Sequence, residues 1–324
     1  AEFCRELEAG GELGYLTTQP LPEDDDGCPS ALAAPHVLRL LRGARRLRPK
    51  FVGALAPVQY NLWFGRTADG TTSGLHHDFH DNIYILLRGC KEFRLFSPRC
   101  VDVLQPEGAQ RGRRPRLHAN GLLCYVPGIR DDGAPEAVAR AWRRRQRGEG
   151  GADSDEEERL LDLALEAEMG GSGSEDGSGA GGEAPGGPPD SFCRASTLGA
   201  EGGAASGAPP VPALLRGRHL SARLEAGDLL YLPASWFHEV ISRGAGAGGH
   251  LALNLWLAPP HAGGSADRPY EDDFWEEKYR TLRTAAREAQ GQGGQPGRAG
   301  EPAAKRRRLA ARQQRAATPG CSDG

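Results

Sequence analysis

A chain of 324 residues is long enough for two domains, yet 46 Gly, 24 Pro and only 6% aromatic residues favour one folded domain plus unstructured polar sequence. The net charge of -3 sums two opposed blocks: 13 acidic residues against Arg159 alone from Glu149 to Asp190, and a basic arm of 11 Lys or Arg from Lys278 to Thr318. Seven cysteines without paired CxxC spacing speak against zinc ribbons and a disulfide framework, and no apolar run of about 18 residues or N-terminal signal pattern supports membrane spanning or secretion.

Free thiols fit a reducing compartment, so an intracellular protein of nucleus or cytoplasm is expected. The single methionine is Met169, which suggests a fragment or a processed product. In chain order, residues 1–54 read as a helical or extended flank, with Leu38, Leu40, Leu41 and Leu47 set among arginines. Residues 55–128 open a β region in which Val58, Tyr60, Leu62 and Phe64 alternate with Gln59, Asn61 and Trp63. Strands are predicted at Ile83 to Leu87 and Glu92 to Phe96, and Arg88-Gly89-Cys90-Lys91 between them suits a tight hairpin.

From 129 to 214 the composition is too poor in large apolar residues to offset its ordering entropy, and an acidic, mostly disordered insert is expected. Helices over Glu136 to Arg147 and Glu156 to Met169 are expected to be transient there. Strand character returns in 215–260, at Leu220 to Leu224, Leu229 to Leu232, Glu239 to Ser242 and Leu251 to Leu257. In the last, Leu251, Leu253, Leu255 and Leu257 face one way and Ala252, Asn254 and Trp256 the other. Within 261–290 a helix over Tyr270 to Ala289 puts Trp275, Tyr279, Leu282 and Ala286 on one stripe, either docked on its own domain or paired across a homodimer. Residues 291–324 form a basic tail, and Lys305 to Arg308 reads as an import signal or a solvated run. Short strands without a βαβ rhythm predict a mainly β, jelly-roll or cupin-like architecture with flanking helices.

The densest polar cluster is His76-His77-Asp78-Phe79-His80-Asp81-Asn82. On an extended backbone His76 and Asp78 leave the same face about 7 Å apart, so both can reach one ion. His238, after Leu230-Tyr231-Leu232-Pro233, could return to the same place. Two imidazoles and one carboxylate are the ligand set of non-haem iron(II) oxygenases and leave three positions open. His77 points away from His76, and His77 and His80 read as rim or substrate-contact residues.

Ser73-Gly74-Leu75-His76-His77-Asp78, Asn82, Arg88-Gly89-Cys90-Lys91 and Phe96-Ser97-Pro98 resemble the metal-binding stretch of jumonji-C hydroxylases. Ala226-Gly227-Asp228-Leu229-Leu230-Tyr231-Leu232-Pro233, Trp236-Phe237-His238 and Leu253-Asn254-Leu255-Trp256 resemble the second half of that domain, a double-stranded β-helix. The resemblance implies iron(II) at His76, Asp78 and His238, and 2-oxoglutarate as cosubstrate. It gives Lys91 the distal carboxylate, Ser73 a hydroxyl to the cosubstrate, Asn82 and Asn254 polar places near it, and Tyr15 a second hydroxyl. Elementary chemistry agrees for Lys91, because a dianionic keto acid held by a metal at one end needs a cation at the other.

The implied activity is hydroxylation of a side chain in a protein or peptide substrate. Histone lysine demethylation by the same chemistry, or a metal-binding cupin-fold interaction module without turnover, are the alternatives. No membrane partner is expected, and nucleic acid is not indicated for the folded domain.

Overall fold

Strict alternation governs the β region, and the computed structural model describes residues 15–16, 19–23, 29–44, 46–66, 70–146, 188–198, 208–243 and 249–291. Ten strands follow in order: β1 (Tyr15–Leu16), β2 (Pro57–Gly65), β3 (Asp81–Arg88), β4 (Cys90–Phe96), β5 (Arg116–Leu117), β6 (Leu123–Cys124), β7 (Leu220–Glu225), β8 (Leu229–Leu232), β9 (Phe237–Arg243) and β10 (His250–Leu257). They build an antiparallel sheet in the order β1-β2-β10-β3-β8, a second in the order β7-β4-β9, and a β5-β6 ribbon. The last strand, β10, sits between β2 and β3 and sets Asn254 opposite Asn61 and Tyr84. The two halves of the sequence are thus hydrogen-bonded into one sheet.

Between the sheets pack Trp63, Tyr84, Leu86, Phe93, Leu224 and Ala252. The other face of the five-stranded sheet presents Tyr60, Ile83, Leu255 and Leu257 to α1 (Pro35–Leu40) and to the C-terminal helix Phe274–Gly291. The interior face therefore carries Gln59, Asn61, Trp63, Asn82, Ala252, Asn254 and Trp256, as alternation predicts. Short helices α2 (Val101–Leu104) and α3 (Glu107–Gln110) and an 11-residue α4 (Glu136–Gln146) precede that terminal helix, α5.

Trp275, Tyr279, Leu282 and Ala286 on α5 are all buried within their own chain, against Val37, Leu38 and the sheet. Each large apolar side chain so covered contributes about 1.5–3 kcal/mol. The docked alternative accounts for this stripe. Pairing of two copies through the same helix would have to use its outer face, where Arg280, Thr284 and Arg287 are exposed. The helix begins later than its periodicity predicts, because the Asp272 carboxylate accepts the Phe274 N–H at 3.1 Å. Tyr270 is occupied elsewhere, its hydroxyl donating to the Ala258 carbonyl and accepting from the Ala56 N–H.

Two sequence expectations are corrected. Arg88 to Lys91 is not a hairpin, since β3 and β4 belong to different sheets and the chain crosses between them at Gly89. Gly89 has φ 89°, and a Cβ there would lie 2.4 Å from the His250 Nδ1. Gly89→Ala is therefore expected to lower stability by about 2–3 kcal/mol, read as a shifted denaturant midpoint at constant slope. An unchanged midpoint would mean that the crossing tolerates a side chain.

The second correction concerns 129–214, where α4 and residues 188–198 are folded into the domain. Ala134 and Ala139 are fully buried, and Trp142 meets Phe274 edge-on at 6.1 Å. Arg130 bridges Asp132 and Asp272, binding the start of the insert to the approach to α5. Two alanines, Val138 and the single Trp142 make this contact, so a search for stretches rich in large apolar side chains misses it. The expected helix over Glu156 to Met169 and the basic tail lie outside the described residues.

Candidate metal centre

His76 precedes β3 and His238 is the second residue of β9, and the two exchange both backbone hydrogen bonds, at 3.0 Å and 2.6 Å. This antiparallel bridge sets their ring centroids 4.3 Å apart. Asp78 follows on the same face as His76. Ligand atoms of His76, Asp78 and His238 all lie within 4.8 Å of one another, and His238 Nε2 is 3.8 Å from Asp78 Oδ2.

The turn before His238 is drawn onto the same spot. The Ser235 N–H donates to the Asp78 carbonyl at 2.7 Å, and the Ser235 hydroxyl accepts the Leu123 N–H at 2.8 Å. Ser235 holds φ 64°, a strained conformation for a non-glycine residue that these two bonds maintain.

Each imidazole is fixed in the same tautomer. His76 Nδ1 lies 2.9 Å from the Gly74 carbonyl and His238 Nδ1 2.9 Å from the Trp236 carbonyl. A carbonyl can only accept, so Nδ1 carries the proton and Nε2 keeps the lone pair a metal needs. Burial, and then the nearby His76, push the His238 pKa down to about 4. The imidazole is thus neutral at physiological pH, and Asn82 Nδ2 orients the third ligand by donating to Asp78 Oδ2 at 3.4 Å.

His77 is not a rim residue, contrary to expectation. It is buried between Phe79, Tyr125 and Phe237, with Nε2 2.8 Å from the Tyr125 hydroxyl, and burial drives its pKa down to about 3. The residue facing away from the metal is enclosed because the β5-β6 ribbon and residues 188–198 close over it. His80 is half-buried and stacks on Trp256 at 5.5 Å.

Lys91, on β4, faces the same interior as His238, because the β4-β9 register pairs Lys91 with Ser242 and Leu95 with His238. It is 3% exposed and donates to the Ser242 hydroxyl at 2.8 Å. Among the described residues no carboxylate compensates its charge, and burial alone lowers its pKa to about 8. The Lys91 ammonium also lies 4.7 Å over the Tyr15 ring. That strand is held against β2, so Tyr15 does reach the interior.

Buried polar atoms with no hydrogen-bond partner among the described residues collect on this interior: both amide atoms of Asn254, Asn61 Nδ2, Asn82 Oδ1 and the Trp256 indole N–H. Each such atom costs about 1–3 kcal/mol when nothing satisfies it. Ser73 differs, since its hydroxyl donates to the Gly74 carbonyl and accepts the Val240 N–H. Its proton is thus engaged within its own turn. Asn61, Ser242 and Trp256 were not singled out from the sequence; alternation placed Asn61 and Trp256 on the right face, but residue type alone does not mark them.

The donor set fits iron(II): two imidazoles, each with Nδ1 turned to a backbone carbonyl and Nε2 left for a metal, and one carboxylate, all within reach of a single ion. The interior fits a dianion, because among the described residues it offers a buried cation with no carboxylate partner and several amide and indole groups without a hydrogen bond.

Residues 34–262 match the cupin-like domain family. The chain is also similar to JmjC domain-containing protein 4 of Schizosaccharomyces pombe, 32% identical over 354 residues that cover 86% of this chain and 72% of the relative. No helix among the described residues is long and apolar enough to cross a membrane. Two facing antiparallel sheets, a His-Asp-His cluster bridged across the two halves of the sequence, and these matches lead to one conclusion: the chain belongs to the jumonji-C, cupin-like proteins.

Proposed function

We propose that this protein is an iron(II)- and 2-oxoglutarate-dependent dioxygenase that hydroxylates a side chain of a protein or peptide. The observation that carries the reading is Lys91, a buried cation with no carboxylate partner among the described residues, sharing an interior with a three-residue metal-ligand cluster. A structural lysine would be paired or would reach solvent. An uncompensated one suits a ligand that brings its own negative charge.

The chemistry that an iron(II) ion with 2-oxoglutarate supplies in such a site is oxidative decarboxylation of the keto acid, coupled to insertion of one oxygen atom into a substrate C–H bond. This chain's own residues hold and orient. His76, Asp78 and His238 would take the metal on one side; the Gly74 and Trp236 carbonyls keep both imidazoles in the binding tautomer. Lys91, braced by Ser242, would take the distal carboxylate, while Asn61, Asn254 and Trp256 offer the remaining polar contacts. Tyr84, Phe93 and Leu224 keep water out of the far end of the interior. Free thiols at Cys90, Cys100, Cys124 and Cys193 support work in a reducing compartment.

The test is anaerobic iron(II) titration with and without 2-oxoglutarate, followed by oxygen exposure with a peptide library. A weak visible charge-transfer band that needs both additions, and succinate formed in step with a peptide that gains one oxygen atom, are expected. Loss of a methyl group instead would indicate demethylation. Metal binding without the band or succinate would leave an interaction module.

A further inference from the structure

Residues 188–198 run as a strap against His76 and against Glu239, the neighbour of His238. At its start the Asp190 carboxylate pairs with Arg111 at 3.1 Å and Arg113 at 2.9 Å. The Ser191 carbonyl accepts the His77 N–H, the Cys193 N–H donates to the Leu75 carbonyl, and Phe192 bridges to His76. The Phe192 ring lies parallel to the His76 imidazole, 11° between planes and 4.7 Å between centroids. Further along, Glu239, the residue after His238, is fully buried and accepts from Ser196 Oγ and from the Thr197 N–H, both at 2.7 Å. Thr72 Oγ1, four residues before His76, donates to the same carboxylate at 2.7 Å.

We propose that this strap is a positioning device for the metal centre, with Phe192 as the positioning residue for His76. The inference rests on the metal-centre reading above and deepens it. The Gly74 carbonyl fixes the tautomer of His76, and tilting of the imidazole plane about that contact is a separate freedom that a metal site must also restrict. A flat ring stacked on its face removes that freedom before the metal arrives, so less ordering remains for binding to supply. The Ser196-Thr197-Glu239 clamp holds the strap at the His238 side, and both ligand strands are thereby held from one segment. That segment lies within an insert whose composition predicted no structural part for it.

The experiment is cobalt(II) titration of the full chain without oxygen or cosubstrate, read by affinity and by the visible absorption band of the bound ion. Phe192→Ala is expected to weaken cobalt(II) binding about tenfold, as loss of a group orienting a ligand does elsewhere, and to change the band shape. Phe192→Tyr, which keeps the ring, is expected to restore both. Because the alanine variant opens a cavity, Phe192→Leu provides a bulky apolar residue without a flat face; intermediate affinity with an altered band is expected. Wild-type affinity and band in either the alanine or the leucine variant would overturn the strap's role. Failure of the wild type itself to bind cobalt(II) would overturn the metal-centre reading and the strap inference with it, an outcome distinct from the variants matching a binding wild type.

Discussion

Replacing Lys91 with methionine is expected to raise the stability of the ligand-free protein while abolishing its response to 2-oxoglutarate. The sign follows from linkage. Burial lowers the lysine pKa from 10.5 to about 8 in the folded chain, so between those values the unfolded chain binds more protons and stability rises with pH. Below about pH 8 the full penalty of the buried charge applies, on the order of 3 kcal/mol. Methionine has similar length and no charge; it forfeits the bond to Ser242, worth about 1 kcal/mol. The net gain expected at pH 7 is on the order of 2 kcal/mol. Iron-loaded wild type should be further stabilised by 2-oxoglutarate and the variant should not. Wild-type affinity for 2-oxoglutarate should be level below about pH 8 and decline above it. Anaerobic thermal melts at several pH values read all of this, and a variant that is destabilised, or that still responds to 2-oxoglutarate, would remove Lys91 from the cosubstrate site.

Asp78→Ala is expected to abolish metal binding and turnover with little effect on the fold. The carboxylate receives a 3.4 Å bond from Asn82 and approaches His238 Nε2 at 3.8 Å. Neither contact holds an element in place, and the Ser235 turn is anchored on the Asp78 backbone carbonyl, which alanine retains. A stability change within about 1 kcal/mol is expected. His76→Ala and His238→Ala should abolish metal binding too. Iron titration beside circular dichroism separates lost ligation from unfolding, and full activity in a folded, purified Asp78→Ala protein would sink the triad.

Strand alternation is a local property of the backbone, and so the inward and outward faces of β2 and β10 were legible from residue order alone. The spacing of His76 and Asp78 was legible for the same reason: two positions along an extended chain share a face. The jelly-roll class followed from short strands bounded by Gly and Pro, without a βαβ rhythm. Lys91 as a cation for an anionic ligand came through resemblance, with charge chemistry in support.

What the sequence could not show is what depends on which strands meet. The crossing at Gly89 resembles a hairpin locally, and only the pairing of β4 with β7 and β9 makes it a passage between sheets. His77 was expected at the rim because on an extended backbone it points away from His76, whereas distant Tyr125 and Phe237 enclose it. The strap was hidden because its hold is exerted by backbone hydrogen bonds, two hydroxyls and one aromatic ring, none of which raises the apolar content of a glycine-rich stretch. Composition and periodicity therefore determined the strands, their faces and one pair of ligands; the tertiary structure alone decided that His238 bonds to His76 and that Phe192 lies on it, because contacts between distant segments leave no period in the chain.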